Sequence, residues 1–185
     1  MCREFMNIPY SEIRISNLIQ KAGISRASFY LYFEDKEDLL GCIAESWVDV
    51  ILRKLTEAFR VSDGSYYESM KLWMSQALEN DISREVWKVY KRVMEEEDFT
   101  KKSKLGALQF KESPRWRQVI EECYGHMDQS RYPGLTPEKL AYAVDMGLLA
   151  MVQLSMRYVE HYAPLAELKE AAWHQLTILD KGIRE

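Results

Sequence analysis

Apolar positions along the first forty residues change spacing twice. Ile13, Ile15, Leu18, Ile19 and Ala22 recur at helical intervals, while Arg14, Ser16, Asn17, Gln20 and Lys21 fall between them. This predicts a short amphipathic helix starting at Arg14 or Ser16, with the Ser16 hydroxyl able to cap it. Gly23 stands where a left-handed turn needs a residue without a Cβ. Ser25 then caps a second helix, with Ile24, Phe29 and Phe33 packing inward and Arg26, Ser28, Tyr30 and Tyr32 on other faces. Asp35 and Asp38 read as the N-cap and third residue of a third, longer helix. Its apolar residues continue through Leu39, Leu40, Ile43, Ala44, Trp47, Val50, Ile51, Leu55 and Phe59 to a break near Ser62-Asp63-Gly64-Ser65.

Beyond that break every periodic segment is again helical. One face holds Met70, Trp73, Met74, Ala77 and Leu78. Ser83 opens a helix carrying Val86 to Met94, which ends in the acidic run Glu95 to Asp98, read as a solvated helix end. A weaker helix is expected over 99–110. Ser113-Pro114 starts another, bearing Trp116, Val119, Ile120, Cys123, Tyr124 and Met127, with proline suited to the first helical position. Thr136-Pro137 opens a helix whose only charge between Leu140 and Met156 is Asp145. A helix apolar all round must be covered all round. The stripe of Leu140, Val144, Gly147, Leu148, Met151 and Leu154 is therefore expected at a seam between two copies of the chain. Leu168, Ala172, Trp173 and Leu176 of the last helix join it. Gly147 and Ala150 would permit close helix approach.

The expected fold class is thus all-α. Eight glycines and five prolines in 185 residues favour long helices, and 47% apolar with 29% charged residues is ordinary globular composition. The three cysteines have no short mutual spacing, which points to reduced thiols and a cytoplasmic setting. No signal peptide and no membrane-length apolar run is evident. His126, His161 and His174 lack metal-ligand spacing, and no phosphate loop or nucleophile motif occurs, so neither enzyme nor cofactor is expected. The net charge of −4 speaks against bulk attraction to nucleic acid. Even Ser11 to Lys36 holds only four cations (Arg14, Lys21, Arg26, Lys36) against three anions (Glu12, Glu34, Asp35). Any binding to a nucleic acid must rest on where those cations sit.

Ala22-Gly23-Ile24-Ser25-Arg26, Phe29-Tyr30, Tyr32-Phe33 and Lys36-Glu37-Asp38-Leu39-Leu40 together resemble the DNA-binding domain of TetR/AcrR-type transcriptional regulators. The likeness covers about the first fifth of the chain. It implies a helix-turn-helix domain at 1–46, joined by a connector helix to a helical effector-binding and dimerisation domain at 47–185. It further implies that Arg26, Ala27 and Ser28 meet base edges, that Tyr30 and Tyr32 touch phosphate, and that Lys36 binds phosphate at a helix start. Arg14 and Ser16 would grip the backbone. The tyrosines could instead pack in the head's own core, and Lys36 could be a plain solvated charge. A full first helix is part of the pattern, yet only Met1 to Asn7 precede Ile8-Pro9-Tyr10, enough for about two turns. That leaves two readings: a natural start upstream, or an unusually open head.

Met70, Trp73, Met74, Trp87, Tyr90, Trp116, Tyr124, Tyr142 and Met146 are candidate walls of an effector cavity, because thioethers and aromatic rings make adaptable apolar linings. They could equally be ordinary core. With no cation cluster in the body, an effector would be apolar or aromatic. The expected partners are an operator duplex, a second copy of the chain and such a small molecule, with no membrane. The expected role is a homodimeric repressor released by its ligand. The alternative is a helical interaction protein whose helix-turn-helix no longer binds DNA.

Overall fold

A computed structural model describes residues 10–79, 113–160 and 163–184. Among these residues every regular element is helical, as the periodicity predicts. The expected helices at 83–94 and 99–110, the acidic run at 95–98 and the short segment before Ile8 lie outside the described residues. The described residues divide into two compact units, 10–49 and 50–79 with 113–184.

The first unit opens with a 3-10 turn, Tyr10–Glu12, followed by α1 (Ile15–Ala22), α2 (Arg26–Tyr30) and the start of α3 (Lys36–Val61). Arg14, in extended backbone, is the N-cap of α1 and makes no side-chain cap bond. Ser16 lies inside the helix and does not cap it. At Gly23 the backbone turns to φ 66°, and its N–H bonds back to the Gln20 carbonyl at 3.2 Å. The Ile24 N–H reaches the Ile19 carbonyl at 3.1 Å, closing the turn. Ile24 is spent on that backbone closure, and its side chain stays 39% exposed instead of packing inward. Ser25 caps α2, its Oγ accepting the Ser28 N–H at 3.0 Å. Asp35 caps α3 by accepting the Asp38 N–H at 2.7 Å, and Asp38 returns a bond to the Glu34 N–H at 3.1 Å. Leu18, Phe29, Leu39 and Leu40 with Ile13 form the core of this unit, and Phe33, Ile15, Ile19 and Ile43 border it.

The second unit takes the rest of α3 and adds α4 (Tyr66–Glu79), α5 (Pro114–Gly125), α6 (Pro137–Val159) and α7 (Leu165–Arg184). Ser113 and Thr136 cap α5 and α6, each with proline in the first turn. α7 packs along α6 and against α4, while α6 also meets α5 and α4. α7 runs on to Arg184, which bonds back to Asp180 one turn earlier at 2.7 Å. Where α4 crosses α6, the methyl end of Met70 and the Tyr66 hydroxyl lie over Gly147, in space that a Cβ would need. The close helix approach foreseen at Gly147 occurs within the chain.

That crossing changes the expected seam. Leu140, Val144, Gly147, Met151 and Leu154 of α6, with Leu168, Ala172 and Leu176 of α7, are buried inside the chain itself. A side chain with no open surface has nothing to offer a second copy. Leu148 and Trp173 alone of the ten keep part of their surface. α6 bears two apolar stripes, and α4 and α7 cover the one expected to be left open. The exposed stripe is the other, Tyr142 (66%), Met146 (53%) and Leu149. Tyr142 and Met146 thus face outward and cannot wall an internal cavity with Met70, Trp73, Met74 and Trp116, which are core residues. Tyr124 is half-buried, its hydroxyl on the Leu135 carbonyl at 3.2 Å. Trp87 and Tyr90 lie outside the described residues. Cys42 is exposed and Cys123 buried, both free, and burial pushes the Cys123 thiol up to about 12.

One chain of polar contacts runs through this apolar core. The Tyr66 N–H donates to the Tyr132 hydroxyl at 3.0 Å, and that hydroxyl donates to Asp180 at 2.6 Å. Arg184 holds the other Asp180 oxygen through Nε at 2.9 Å, with its guanidinium carbon 5.2 Å above the Tyr132 ring. The Tyr66 hydroxyl donates to the Ala143 carbonyl at 2.7 Å. Burial, joined by the negative Asp180, raises both phenol pKa values, so each tyrosine stays a donor. The start of α4, the loop before α6, α6 itself and the end of α7 are joined in this way.

Tyr132→Phe removes a buried hydroxyl that both donates and accepts, so we expect a loss of about 1–3 kcal/mol in urea unfolding. Gly147→Ala sets a methyl against the end of Met70, a clash partly offset by alanine's better helix propensity, and should cost about 1 kcal/mol by the same measurement. Equal midpoints for parent and variants would contradict these two packing assignments.

Candidate nucleic-acid interface

α2 is a helix of five residues, too short to persist by itself. It is held at one end by the Ser25 cap and in the middle by Phe29, which is 1% exposed among the core residues of the unit. With Phe29 turned in, helical spacing turns Ala27 away from the core, and Arg26 and Tyr30 flank the buried face with their side chains exposed.

Arg14, Ser16, Arg26, Tyr30 and Lys36 border a single open cleft. Its apolar lining is Ile13, Ile15 and Ile19, and Asp35 and Glu37 join from the start of α3. Arg14 and Ser16 come from the start of α1, Arg26 and Tyr30 from the two ends of α2, and Lys36 from the first residue of α3. Five of the eight residues expected to meet DNA are thereby brought together from three elements. Chemically the cleft offers two guanidinium groups, an ammonium, a hydroxyl and a phenol. These are the groups that bind phosphate oxygens and guanine edges.

The other three expected contacts stand apart from the cleft. Ala27 is exposed on α2, and its small side chain lets a duplex come close. Ser28 is half-buried, with its hydroxyl 2.8 Å from that of Ser25, so it already shares in the cap. Tyr32 follows the end of α2 and is 77% exposed, its ring 6.5 Å from that of Phe33. Tyr30 is 45% exposed, so neither tyrosine is spent on the head's core. Lys21 is exposed and does not border the cleft. Two features escaped the sequence reading. Asp35 and Glu37 lie beside the cations, a proximity already written in their adjacency to Lys36. The Arg26 guanidinium carbon also stands 5.7 Å from the centre of the Tyr30 ring, a contact that their i, i+4 spacing permits.

Among the described residues no cluster of three or more side chains could hold a metal ion, and no helix is long and apolar enough to cross a membrane.

Comparison with known proteins bears on this unit most directly. Residues 2–42 match the family described as bacterial regulatory proteins, tetR family. The chain is also similar to an uncharacterized HTH-type transcriptional regulator of Bacillus subtilis (strain 168), YdgC, with 29% identity over 98 residues. That match takes in 53% of this chain and 46% of the relative, so the chain spans about half the length of the curated protein it matches. No solved structure matches the chain at a significant level. The three-helix arrangement around the cleft agrees with the match over residues 2–42, so the head of this chain is similar to the DNA-binding end of the tetR family of bacterial regulatory proteins.

Proposed function

We propose that the chain is a DNA-binding transcriptional regulator that reads a two-fold operator as a homodimer and acts as a repressor released by a small apolar or aromatic molecule. The observation that carries the DNA reading is the convergence of Arg14, Ser16, Arg26, Tyr30 and Lys36 on one cleft. In this reading α2 enters the major groove, where Arg26 places its paired N–H donors on guanine O6 and N7 and Ala27 and Ser28 meet neighbouring edges. Lys36, at the start of α3, takes a phosphate through its ammonium group, favoured there by the positive end of the helix. Arg14, Ser16 and Tyr32 hold the flanking backbone and set the register. Asp35 and Glu37 keep the cleft from being a general anion sink.

The exposed stripe of α6 supports the homodimer. Tyr142, Met146 and Leu149 follow one another at helical spacing on a helix whose middle carries a single charge, Asp145. A second copy placed on this stripe would remove that surface from water, and two-fold pairing supplies two reading helices for half-sites about 34–36 Å apart. Met70, Met74, Trp73 and Trp116 support an apolar effector, since flexible thioethers beside rings can repack around a guest. Such a guest would bias the position of α3 and with it the separation of the two reading helices.

Selection of DNA from a random pool by the purified protein, followed by binding measured against salt, tests the reading. A preferred sequence and a negative slope of log affinity on log salt are expected. Arg26→Ala should relax preference at one base pair by about 1–3 kcal/mol. Lys36→Ala should weaken all sequences alike and reduce the salt slope by about 1. Failure to enrich any sequence would favour a helical interaction protein in place of a regulator. For the dimer, Met146→Asp disturbs no internal packing and should convert the sedimenting species to monomer. A monomeric parent at micromolar concentration would remove this part of the proposal.

A further inference from the structure

We propose that Tyr30 is a positioning residue for Arg26: its ring is a platform that pre-orders the guanidinium for base reading. The inference rests on the reading of the chain as a DNA-binding regulator and assigns the base-reading step a second residue. Arg26 is the first residue of α2 and Tyr30 the last, so their contact spans the whole reading helix. The guanidinium carbon stands 5.7 Å from the ring centre, within cation–π range. The ring is itself held, since it meets Phe29 at 5.3 Å and 86°, and Phe29 is anchored in the core of the unit. Position is therefore handed outward from the core to Phe29, from Phe29 to Tyr30, and from Tyr30 to the cation.

The chemistry allows the contact to persist while Arg26 works. A guanidinium is planar, and it stacks through its face while its N–H donors point outward in the plane. The platform uses the face, and guanine takes the edge. A long side chain that must be ordered on binding loses affinity to that ordering, and prior support reduces the loss. This effect belongs to the base pair that Arg26 reads. A phosphate contact from the Tyr30 hydroxyl would behave differently, because it would act on every sequence and would vanish with the oxygen alone.

The two substitutions Tyr30→Phe and Tyr30→Leu separate these roles in the full-length chain. Binding is measured to the selected duplex and to the duplex changed at the base pair that Arg26→Ala relaxes. Tyr30→Phe should keep the parent's discrimination at that pair. Tyr30→Leu should lose it by about 2- to 5-fold, the scale of an exposed cation–π contact. In an Arg26→Ala background, Tyr30→Leu should cost no further discrimination. Uniform weakening by Tyr30→Phe, or uniform weakening by Tyr30→Leu with preference intact, overturns the proposal. A readout without DNA accompanies these assays. The Arg26 δ-protons should show an upfield ring-current shift in the NMR spectrum of the parent and of Tyr30→Phe, and lose it in Tyr30→Leu. No shift in the parent overturns the platform alone. A shifted Arg26 in a parent that enriches no DNA sequence overturns the regulator reading and the proposal with it.

Discussion

Burial of Phe29 is the constraint on which the site depends. A helix of five residues has too few internal bonds to repay its ordering, so α2 exists because one of its side chains is owned by the core. The Ser25 cap fixes where it begins, and the left-handed turn at Gly23 fixes the direction from which it arrives. Once those three are set, Ala27 is turned away from the core, with Arg26 and Tyr30 exposed at the margin of the buried face. The same economy governs α3, where Asp35 accepts the Asp38 N–H and thereby fixes Lys36 at the first turn. The cleft is thus assembled from the starts of α1 and α3 and both ends of α2, with α2 and α3 held by capping groups and core residues.

The second unit is built on another principle. Its helices are long and apolar enough to pack in several registers, and a purely apolar core specifies register weakly. The contacts of Tyr66, Tyr132, Asp180 and Arg184 answer that problem, because hydrogen-bond partners must align within tenths of an ångström. An Asp180 carboxylate only 6% exposed is costly unless its oxygens are occupied, and here Tyr132 takes one and Arg184 the other. Any register of α7 that separated them would leave a buried charge without donors. The polar groups select one packing among those that the apolar groups would accept.

What was legible in the sequence followed the range of the interaction. Caps, turns and amphipathic faces are set within four or five residues, and Gly23, Ser25, Asp35, Ser113 and Thr136 all sit at the predicted helix ends. The outer face of α2 was legible in part, since Phe29 inward sends Ala27 outward, whereas Arg26, three residues before Phe29, lies toward the buried side and its exposure is a finding of the structure. The side of α6 that would be covered was not local. Leu140 to Leu154 and Tyr142 to Leu149 are both apolar stripes, and nothing in their own composition says which one α4 and α7 will cover. The small residue at Gly147 was read as a place of close approach, yet the residues that approach it, Met70 and Tyr66, come from about eighty positions earlier in the same chain. Ser16 and Ile24 were misplaced for a smaller reason: backbone bonding at Arg14 and Gly23 fixed the helix boundaries one or two residues away.

Net charge and local placement pull in opposite directions in this protein, and the difference has a consequence for recognition. A chain with a net charge of −4 gains little from the diffuse attraction that brings basic proteins to any duplex. Screening confines charge effects to about 10 Å at ordinary ionic strength, so a phosphate near the cleft meets chiefly Arg14, Arg26 and Lys36, along with Asp35 and Glu37. In the proposed reading, the two carboxylates repel a phosphate that arrives in the wrong register, and the cations reward one in the right register. In that reading, non-specific affinity is lowered by the near negative charges, whereas contacts to base edges are short-ranged and depend on placement. If the proposed reading holds, an acidic protein with its cations gathered in one cleft gives up some affinity in exchange for a larger ratio of selective to non-selective binding.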